Sequence, residues 1–250
     1  MILSSQIKSL QHPIVKFCLS LRKDASTRKE SSSFLLYGKK EILEIPKHVK
    51  IHKLFSLTND FLSLKADHYY VVTQEILKKM TGLVEPEGYL AEVSFKMKLP
   101  KKLEKVLILD GISDPGNLGT LFRTGVAFGF DAIFLLHHCV DPFNDKALRS
   151  TKGAIFHIPF FSYTEGEFLE MIKAHDLHLY QADLSGNSIE SQKVNLPFGL
   201  IVGNEAHGTS QFIKNIATAV TIPIDHKTES LNVAVASGII MYHFKKLCQI

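Results

Sequence analysis

The sequence predicts an α/β protein made of a small N-terminal α/β domain and a larger domain built on a mostly parallel sheet. Short apolar runs alternate with helical patterns along the chain, a charged segment containing a proline divides it, and the basic charge lies mainly before that segment. With 250 residues, 45% of them hydrophobic and 22% charged, the chain has room for one large domain or two small ones.

The division is predicted at a short linker around Pro100. We expect one domain over residues 1–97, a linker over 98–104 and a second domain over 105–250. Residues 1–104 contain 18 Lys and Arg against 11 Asp and Glu, a net charge of +7, whereas residues 105–250 contain 11 against 14, a net charge of −3. Such an excess is often only a solvated surface, but beside a catalytic domain it favours binding to a polyanion.

In the N-terminal part, apolar residues at helical spacing predict a helix over His12–Ser31. Short strands and helices then alternate. The predicted strands are 34–37, 53–56, 69–72 and 88–93, with helices beginning at Lys39 and near Glu75.

The second part has a more regular pattern, because near-continuous apolar runs recur as expected for strands buried on both faces of a parallel sheet. The predicted strands are 106–109, 132–136, 154–160, 177–182, 199–202 and 219–224. Helices are predicted between most of them, at 117–128, 165–174, 210–215 and 230–246, which indicates an open α/β sheet.

Several functional classes are disfavoured. No run reaches the roughly 18 apolar residues of a membrane span, the N-terminus lacks the order of a secretory signal, and three scattered cysteines suit a reducing cytoplasm. The sequence has no serine-hydrolase elbow, dinucleotide fingerprint or zinc motif. His137 and His138 are adjacent at the end of a predicted strand, so they would point to opposite faces and no metal is expected there.

The first of three polar clusters is Asp114–Gly125, a turn that follows a strand and opens a helix, as ligand-binding corners of α/β proteins do. Arg123 lies off the apolar stripe of this helix. Gly119 and Thr120, one turn earlier, are expected to leave the space over its guanidinium open. The alternative is an ordinary surface arginine.

The second cluster, Leu200–Ser210, has two glycines at phosphate-loop spacing but Thr209 where such a loop needs lysine, so triphosphate binding is excluded. A strand that ends in Gly203 and continues into Glu205 instead suits close backbone approach to a ligand and one carboxylate acceptor.

The third cluster, Ile222–Asn232, leads into an apolar helix for which Ser230 is the expected N-cap, with Asn232 in its first turn. Helix capping by these residues would not by itself indicate a function. Ala234, Ser237 and Gly238 share one helical face, where a partner subunit could approach closely.

Together, in this order and near these spacings, the three clusters resemble the signature motifs of the SpoU (TrmH-like) RNA ribose methyltransferases of the SPOUT superfamily. The resemblance covers residues 105–250. The run Ile7–Lys16, with Arg22, Arg28 and the segment 36–38, also resembles the ribosomal-protein-like RNA-binding domain that many members carry. The resemblance implies a trefoil-knotted sheet, an exception to the usual avoidance of knots, together with a homodimer and S-adenosylmethionine as methyl donor.

The family's site positions transfer to matching residues of this sequence. The resemblance implies that the cofactor contacts are Gly203, Ile222 and Leu231, and that the active-site residues are Asn117, Arg123, Glu205, Ser230 and Asn232. Two features depart from the family pattern: Ala206 stands where glycine is common, and His226–Thr228 fills a loop that is often richer in small residues.

The predicted reaction is methyl transfer to a ribose 2′-hydroxyl. Arg123 is expected to act electrostatically, since a guanidinium with a pKa above about 12 is a poor base. Asn117, Ser230 and Asn232 would orient the ribose, and Glu205 would fix either its loop or Arg123. The N-terminal domain favours 23S ribosomal RNA over tRNA as substrate, and a non-catalytic RNA-binding protein of the same fold is the alternative from another class.

Overall fold

The computed structural model describes residues 4–95 and 97–248. The chain forms two compact units, Met1–Lys96 and Met97–Ile250. Within the described ranges, no helix has the length and apolarity that crossing a membrane requires.

The first unit is a mixed five-stranded sheet with helices. Its elements in chain order are β1 (Ser4–Ile7), α1 (Pro13–Lys23), α2 (Ala25–Ser31), β2 (Ser33–Tyr37), α3 (Lys39–Leu43), β3 (Ile51–Ser56), β4 (His68–Val72), α4 (Gln74–Thr81) and β5 (Tyr89–Ser94). The strand order is β1-β4-β3-β5-β2, with β1, β4 and β3 parallel and β5 antiparallel to both β3 and β2. Apolar residues such as Leu21, Phe55 and Leu77 fill the core between the helices and the sheet.

The helix predicted over His12–Ser31 is in fact two helices. Asp24 ends α1, and its carboxylate accepts hydrogen bonds from the backbone amides of Ser26 and Thr27 at the start of α2. An aspartate that competes for backbone amides in this way favours a helix start over a helix interior. The short edge strand β1 was not predicted.

The second unit is built on a six-stranded sheet in which every strand pair is parallel. Its elements are β6 (Lys105–Asp110), α5 (Pro115–Phe128), β7 (Ala132–Leu136), α6 (Asp145–Thr151), a 3-10 turn (Ala154–Phe156), β8 (Phe160–Ser162), α7 (Glu165–His175), β9 (His178–Ser188), a second 3-10 turn (Ile189–Ser191), β10 (Phe198–Gly203), α8 (Gln211–Lys214), β11 (Thr218–Thr221) and α9 (Val233–Leu247). The strand order is β11-β9-β10-β6-β7-β8.

This sheet confirms the predicted α/β class with a mostly parallel sheet. Strands β6, β7 and β10 are buried along nearly their whole length, which explains their continuous apolar runs. Because β6 and β10 are parallel neighbours, with Asp110 opposite Gly203, the segments that follow them leave the sheet at the same edge. Ligands of open α/β sheets bind at this edge.

One predicted strand is wrong. Residues 154–160 read as an apolar run, but Ala154, Ile155 and Ile158 are buried in a turn and only Phe160 begins a strand. Gly153 has φ +80°, and Pro159 cannot donate a ladder hydrogen bond, so the chain bends where the apolar pattern alone indicated extension. Helix α6, which precedes this turn, was not predicted.

Candidate active site

The start of α5 forms the first wall of the site. The Asp114 carboxylate caps the helix by accepting a hydrogen bond of 2.8 Å from the backbone amide of Asn117, and Pro115 occupies the first helical position. A 2.8 Å ion pair with the Lys146 ammonium, together with that amide, holds the pKa of Asp114 below its usual range. Asn117 is thereby fixed at the carboxyl edge of the sheet.

Glu205 joins the loop after β10 to the segment that leads into α5. Its Oε2 accepts hydrogen bonds from the Ser113 backbone amide at 3.2 Å and the Ser113 hydroxyl at 2.9 Å. Its Oε1 accepts from the Asp114 amide at 3.2 Å and from Asn117 Nδ2 at 3.0 Å. Partial burial raises the pKa of Glu205, but these hydrogen bonds outweigh it and lower the pKa below its ordinary value. The side chain is therefore a carboxylate at neutral pH.

Asn232 brings the third cluster to the same place. Its Nδ2 donates a hydrogen bond of 3.0 Å to Asn117 Oδ1, so Asn117 links Glu205 to the start of α9. The expectation that Ser230 caps this helix is wrong: Asn232 is the N-cap, and its Oδ1 accepts from the amides of Ala234 and Val235. Asn caps a helix as well as Ser does, and only Asn232 also reaches a partner on α5.

The loop after β10 is held closed by Asn204. The backbones of Asn204 and Gly208 form a bridge, and Asn204 Nδ2 donates a hydrogen bond of 2.9 Å to the carbonyl of Gly111, just beyond β6. Gly203 has no room for a side chain, because a Cβ there would lie 2.3 Å from the backbone of Gly208 and Thr209. Ala206, which departs from the family pattern, is not among the residues with positive φ, so its backbone has no need of glycine.

Arg123 lies apart from this hydrogen-bonded network. It is exposed on α5, and no hydrogen bond or ion pair within the described residues involves its guanidinium, so Glu205 fixes its own loop rather than Arg123. The expectation that Gly119 leaves space over the guanidinium is wrong. A Cβ on Gly119 would lie 2.4 Å from Ser150 Cβ, so the missing side chain makes room for α6.

A pocket of about 430 Å³ opens beside the network, between the ends of β9, β10 and β11 and the start of α9. Its lining includes Gly203, Ile222 and Leu231, the three residues expected to contact a cofactor, and also Glu205 and Ser230. A volume of this size, with apolar walls and a few polar groups, is typical of small-molecule sites.

His137 lies just beyond the end of β7, beside two carboxylates. It follows β7 with φ +50°, and its ring is hydrogen-bonded to Asp110 and, at 2.9 Å, to Glu165. Burial lowers the pKa of His137, but these two carboxylates raise it overall. Among the described residues, no group of three or more His, Cys, Asp and Glu side chains is arranged to hold a metal ion.

Comparison with known proteins identifies the family. Residues 104–242, more than half of the chain, match the model of the SpoU rRNA Methylase family. The chain belongs to this family. It is also 31% identical over 247 residues to the Bacillus subtilis 23S rRNA (guanosine(2553)-2′-O)-methyltransferase RlmP, covering 96% of this chain and 99% of that protein.

Two further comparisons cover nearly the whole chain. A tRNA/rRNA methyltransferase from Synechocystis is 32% identical, covering 97% of this chain and 94% of that protein. The crystal structure of an AdoMet-bound rRNA methyltransferase from Sinorhizobium meliloti superposes with a TM-score of 0.82 at 26% identity, covering 97% of this chain and 98% of that chain. Membership of the SpoU family confirms the predicted resemblance, and with it an RNA methyltransferase activity that uses S-adenosylmethionine.

The pocket fits the methyl donor of the SpoU family in size and chemistry. Ile222, Leu231 and Ile240 offer apolar surface that suits a purine. Gly203 also lines the pocket, and its missing side chain makes room for the backbone of Gly208 and Thr209. Glu205 supplies a carboxylate at the rim. The donor is cationic at sulfur, so an ionised carboxylate nearby is electrostatically compatible with it.

Sequence reasoning missed four contributors to the site: Ser113, Asp114, Lys146 and Asn204. Asp114 followed by proline is itself a helix-start signal, and it could have been recognised as the cap of α5. The roles of Ser113, Lys146 and Asn204 depend on partners 32 or more positions away in the chain, and spacing within a motif gives no sign of such partners.

Proposed function

We propose that this chain transfers a methyl group from S-adenosylmethionine to a ribose 2′-hydroxyl of structured RNA, with 23S ribosomal RNA as the favoured substrate. The observation that carries the proposal is the hydrogen-bonded chain Glu205–Asn117–Asn232 beside the cofactor-sized pocket. The name of the Bacillus subtilis relative, which aligns over nearly the full length, supports 23S ribosomal RNA over tRNA.

We assign the cofactor to the pocket residues and the ribose to the network. The donor supplies a methyl group on a good leaving group, so the protein's main task is alignment. Gly203, Ile222 and Leu231 would hold the cofactor. Asn232 lies between Leu231 and Val233, which both line the pocket, so the amides of Asn117 and Asn232 and the hydroxyl of Ser230 are well placed to orient the ribose.

Arg123 is assigned an electrostatic role. It lies six residues after Asn117 on the same helix, about 9 Å further along the axis at 1.5 Å per residue. Side chains of a helix lean toward its N-terminus, so an extended arginine reaches back toward the ribose position. There its guanidinium would hold an RNA phosphate and stabilise negative charge developing on the 2′-oxygen.

The role of Arg123 is tested by Arg123→Ala. We expect methyl transfer to fall by at least about 10²-fold, the size seen when one stabilising donor is removed, while calorimetry gives nearly unchanged affinity for S-adenosylmethionine. Unchanged turnover would refute the assignment. Failure of the wild-type chain to bind S-adenosylmethionine would instead support the alternative of a non-catalytic RNA-binding protein.

We also propose that the chain is a homodimer through α9. The helix face expected to meet a partner instead packs inside the chain itself. Ala234 and Ser237 are buried, and a Cβ on Gly238 would lie 3.7 Å from the Thr124 side chain of α5. Val235, Ile239 and Tyr242 form a different stripe, and they are exposed by 53%, 40% and 51%. Three large apolar side chains at helical spacing suit an interface between identical subunits.

The remaining family features are proposals of the same kind. Residues 1–96 contain 15 Lys and Arg against 10 Asp and Glu, and this net charge of +5 supports RNA binding by the ribosomal-protein-like N-terminal unit. The trefoil knot is proposed from membership of the SpoU family. Free thiols at Cys18, Cys139 and Cys248 support a cytoplasmic location.

A further inference from the structure

Helix α6 lies unusually close to the start of α5. A Cβ on Gly119 would be 2.4 Å from Ser150 Cβ and 2.6 Å from the Ala147 carbonyl oxygen, and one on Gly116 would be 3.5 Å from Lys146 Cε. The early residues of α5 therefore lie beside the early residues of α6, and both helices begin at the same end of the contact. The missing side chains of the two glycines let the helices pack closely.

Three cationic side chains lie on these two packed helices. Lys146 is 61% exposed, although its ammonium lies 2.8 Å from Asp114 Oδ2. Arg149 is one turn further along α6, and Arg123 is one turn beyond Gly119 on α5. Both arginines are exposed, and neither guanidinium has a hydrogen-bond or ion-pair partner among residues 4–95 and 97–248.

The acidic side chains on these helices are fewer than the cationic ones. On α5, α6 and their N-cap residues, the acidic residues are Asp114 and Asp145. The Asp114 carboxylate is engaged by the Asn117 amide and by Lys146. A lysine ammonium has three donors, so Lys146 keeps two after donating to Asp114, and that contact holds its ammonium beside the helix turn that carries Asn117.

We propose that Lys146 and Arg149 bind the backbone phosphates of the substrate RNA next to the reacting ribose. The inference rests on the proposed function and extends it to residues outside the three motifs. Positions three apart on a helix have Cβ atoms about 5–6 Å apart. The two cations can therefore bind one phosphate together or two successive phosphates of the RNA backbone. Asp114 acts as a positioning residue, because it orients Lys146 and caps the helix that presents Asn117.

The alternative role for Lys146 is to attach α6 to α5 through its ion pair. Exposed pairs of this kind contribute about 0–1 kcal/mol, and Arg149 makes no such pair, so a purely structural role predicts no effect of Arg149→Ala on RNA binding. Binding to phosphate predicts similar effects of both substitutions.

The test compares Lys146→Ala, Arg149→Ala and the double variant with Lys173→Ala, which removes an exposed lysine from α7. Binding of 23S ribosomal RNA transcribed in vitro is measured by fluorescence anisotropy over a range of KCl concentrations, alongside methyl-transfer kinetics and calorimetry with S-adenosylmethionine. We expect each substitution to weaken RNA binding by about fivefold, the factor that corresponds to roughly 1 kcal/mol, and to reduce the salt slope by about one. Lys146→Arg should restore RNA binding, and Lys173→Ala should match the wild type.

RNA affinity and salt slope equal to those of the wild type in both variants would overturn the proposal. A loss of melting temperature or of S-adenosylmethionine binding without a change in salt slope would do the same, because it would indicate a structural role. If the wild-type chain binds RNA but transfers no methyl group, the proposed function fails while the anisotropy measurements still decide whether Lys146 and Arg149 contact phosphate.

Discussion

Replacement of Asn232 separates the two tasks of this side chain. Its Oδ1 caps α9 by accepting from the amides of Ala234 and Val235, and its Nδ2 donates to Asn117 Oδ1. Asn232→Ala removes both contacts. Asn232→Ser keeps a capping oxygen, but its shorter side chain has no amide to reach Asn117. The pair of variants therefore distinguishes helix stability from the geometry of the site.

The stability effect can be estimated from capping. Loss of an Asn cap costs about 0.5–2 kcal/mol, whereas Ser caps nearly as well as Asn. For a domain of this size, 1 kcal/mol corresponds to about 2–4 °C in melting temperature. We expect Asn232→Ala to melt about 1–8 °C below the wild type, and Asn232→Ser to melt within about 1 °C of it.

Activity should follow a different order. Both variants lose the contact that orients Asn117, and small misplacements at a reacting centre can cost about 10²-fold in rate. We expect both to lose at least about tenfold in kcat, measured with tritiated S-adenosylmethionine and ribosomal RNA, while calorimetry gives similar cofactor affinity. Wild-type turnover in Asn232→Ser would contradict the role of the Asn117 contact, and equal melting of the two variants would contradict the capping role.

Three further predictions concern the loop, its carboxylate and the dimer. Gly203→Ala should lower the free energy of unfolding by about 1–3 kcal/mol and weaken cofactor binding, since the added Cβ would lie 2.3 Å from the backbone. Gly166→Ala should do neither, because no atom lies within 4 Å of the position of its Cβ. Glu205→Gln keeps one acceptor oxygen and should reduce activity. Because the pKa of Glu205 is lowered in the folded chain, the stability of the wild type relative to this variant should be constant above about pH 5 and fall at more acidic pH; a difference that does not change with pH would contradict this. Tyr242→Glu should shift the chain toward monomer in analytical ultracentrifugation, and an unchanged sedimentation coefficient would refute the proposed interface.

The parallel sheet could be predicted because strands that are buried on both faces consist of continuous apolar runs, which are visible in the sequence. Ala132–Leu136 was predicted with the bounds that β7 has, since all five residues are buried. By contrast, α6 has seven residues and depends on packing against Gly119. Helices this short are marginal alone, so their own sequence gives a weak signal.

The residues of the site could be named from the motifs, but their connections could not. Glu205 and Asn117 are 88 positions apart, and they meet because β6 and β10 end at the same edge of the sheet. Asn117 and Asn232 are 115 positions apart, and they meet because α9 packs against α5. The choice of Asn232 over Ser230 as the cap of α9 depends on that same partner. Local capping preference alone treats the two residues as equivalent.

The central claim, methyl transfer to a ribose, is tested most directly by identifying the product. Ribosomal RNA from cells that lack this gene would be incubated with the purified chain and S-adenosylmethionine, digested to nucleosides and examined by mass spectrometry. We expect one new 2′-O-methylnucleoside, whose fragmentation places the added methyl group on the ribose, and its loss with Arg123→Ala. A methyl group on a base, or no methylation by a chain that binds S-adenosylmethionine, would contradict the claim.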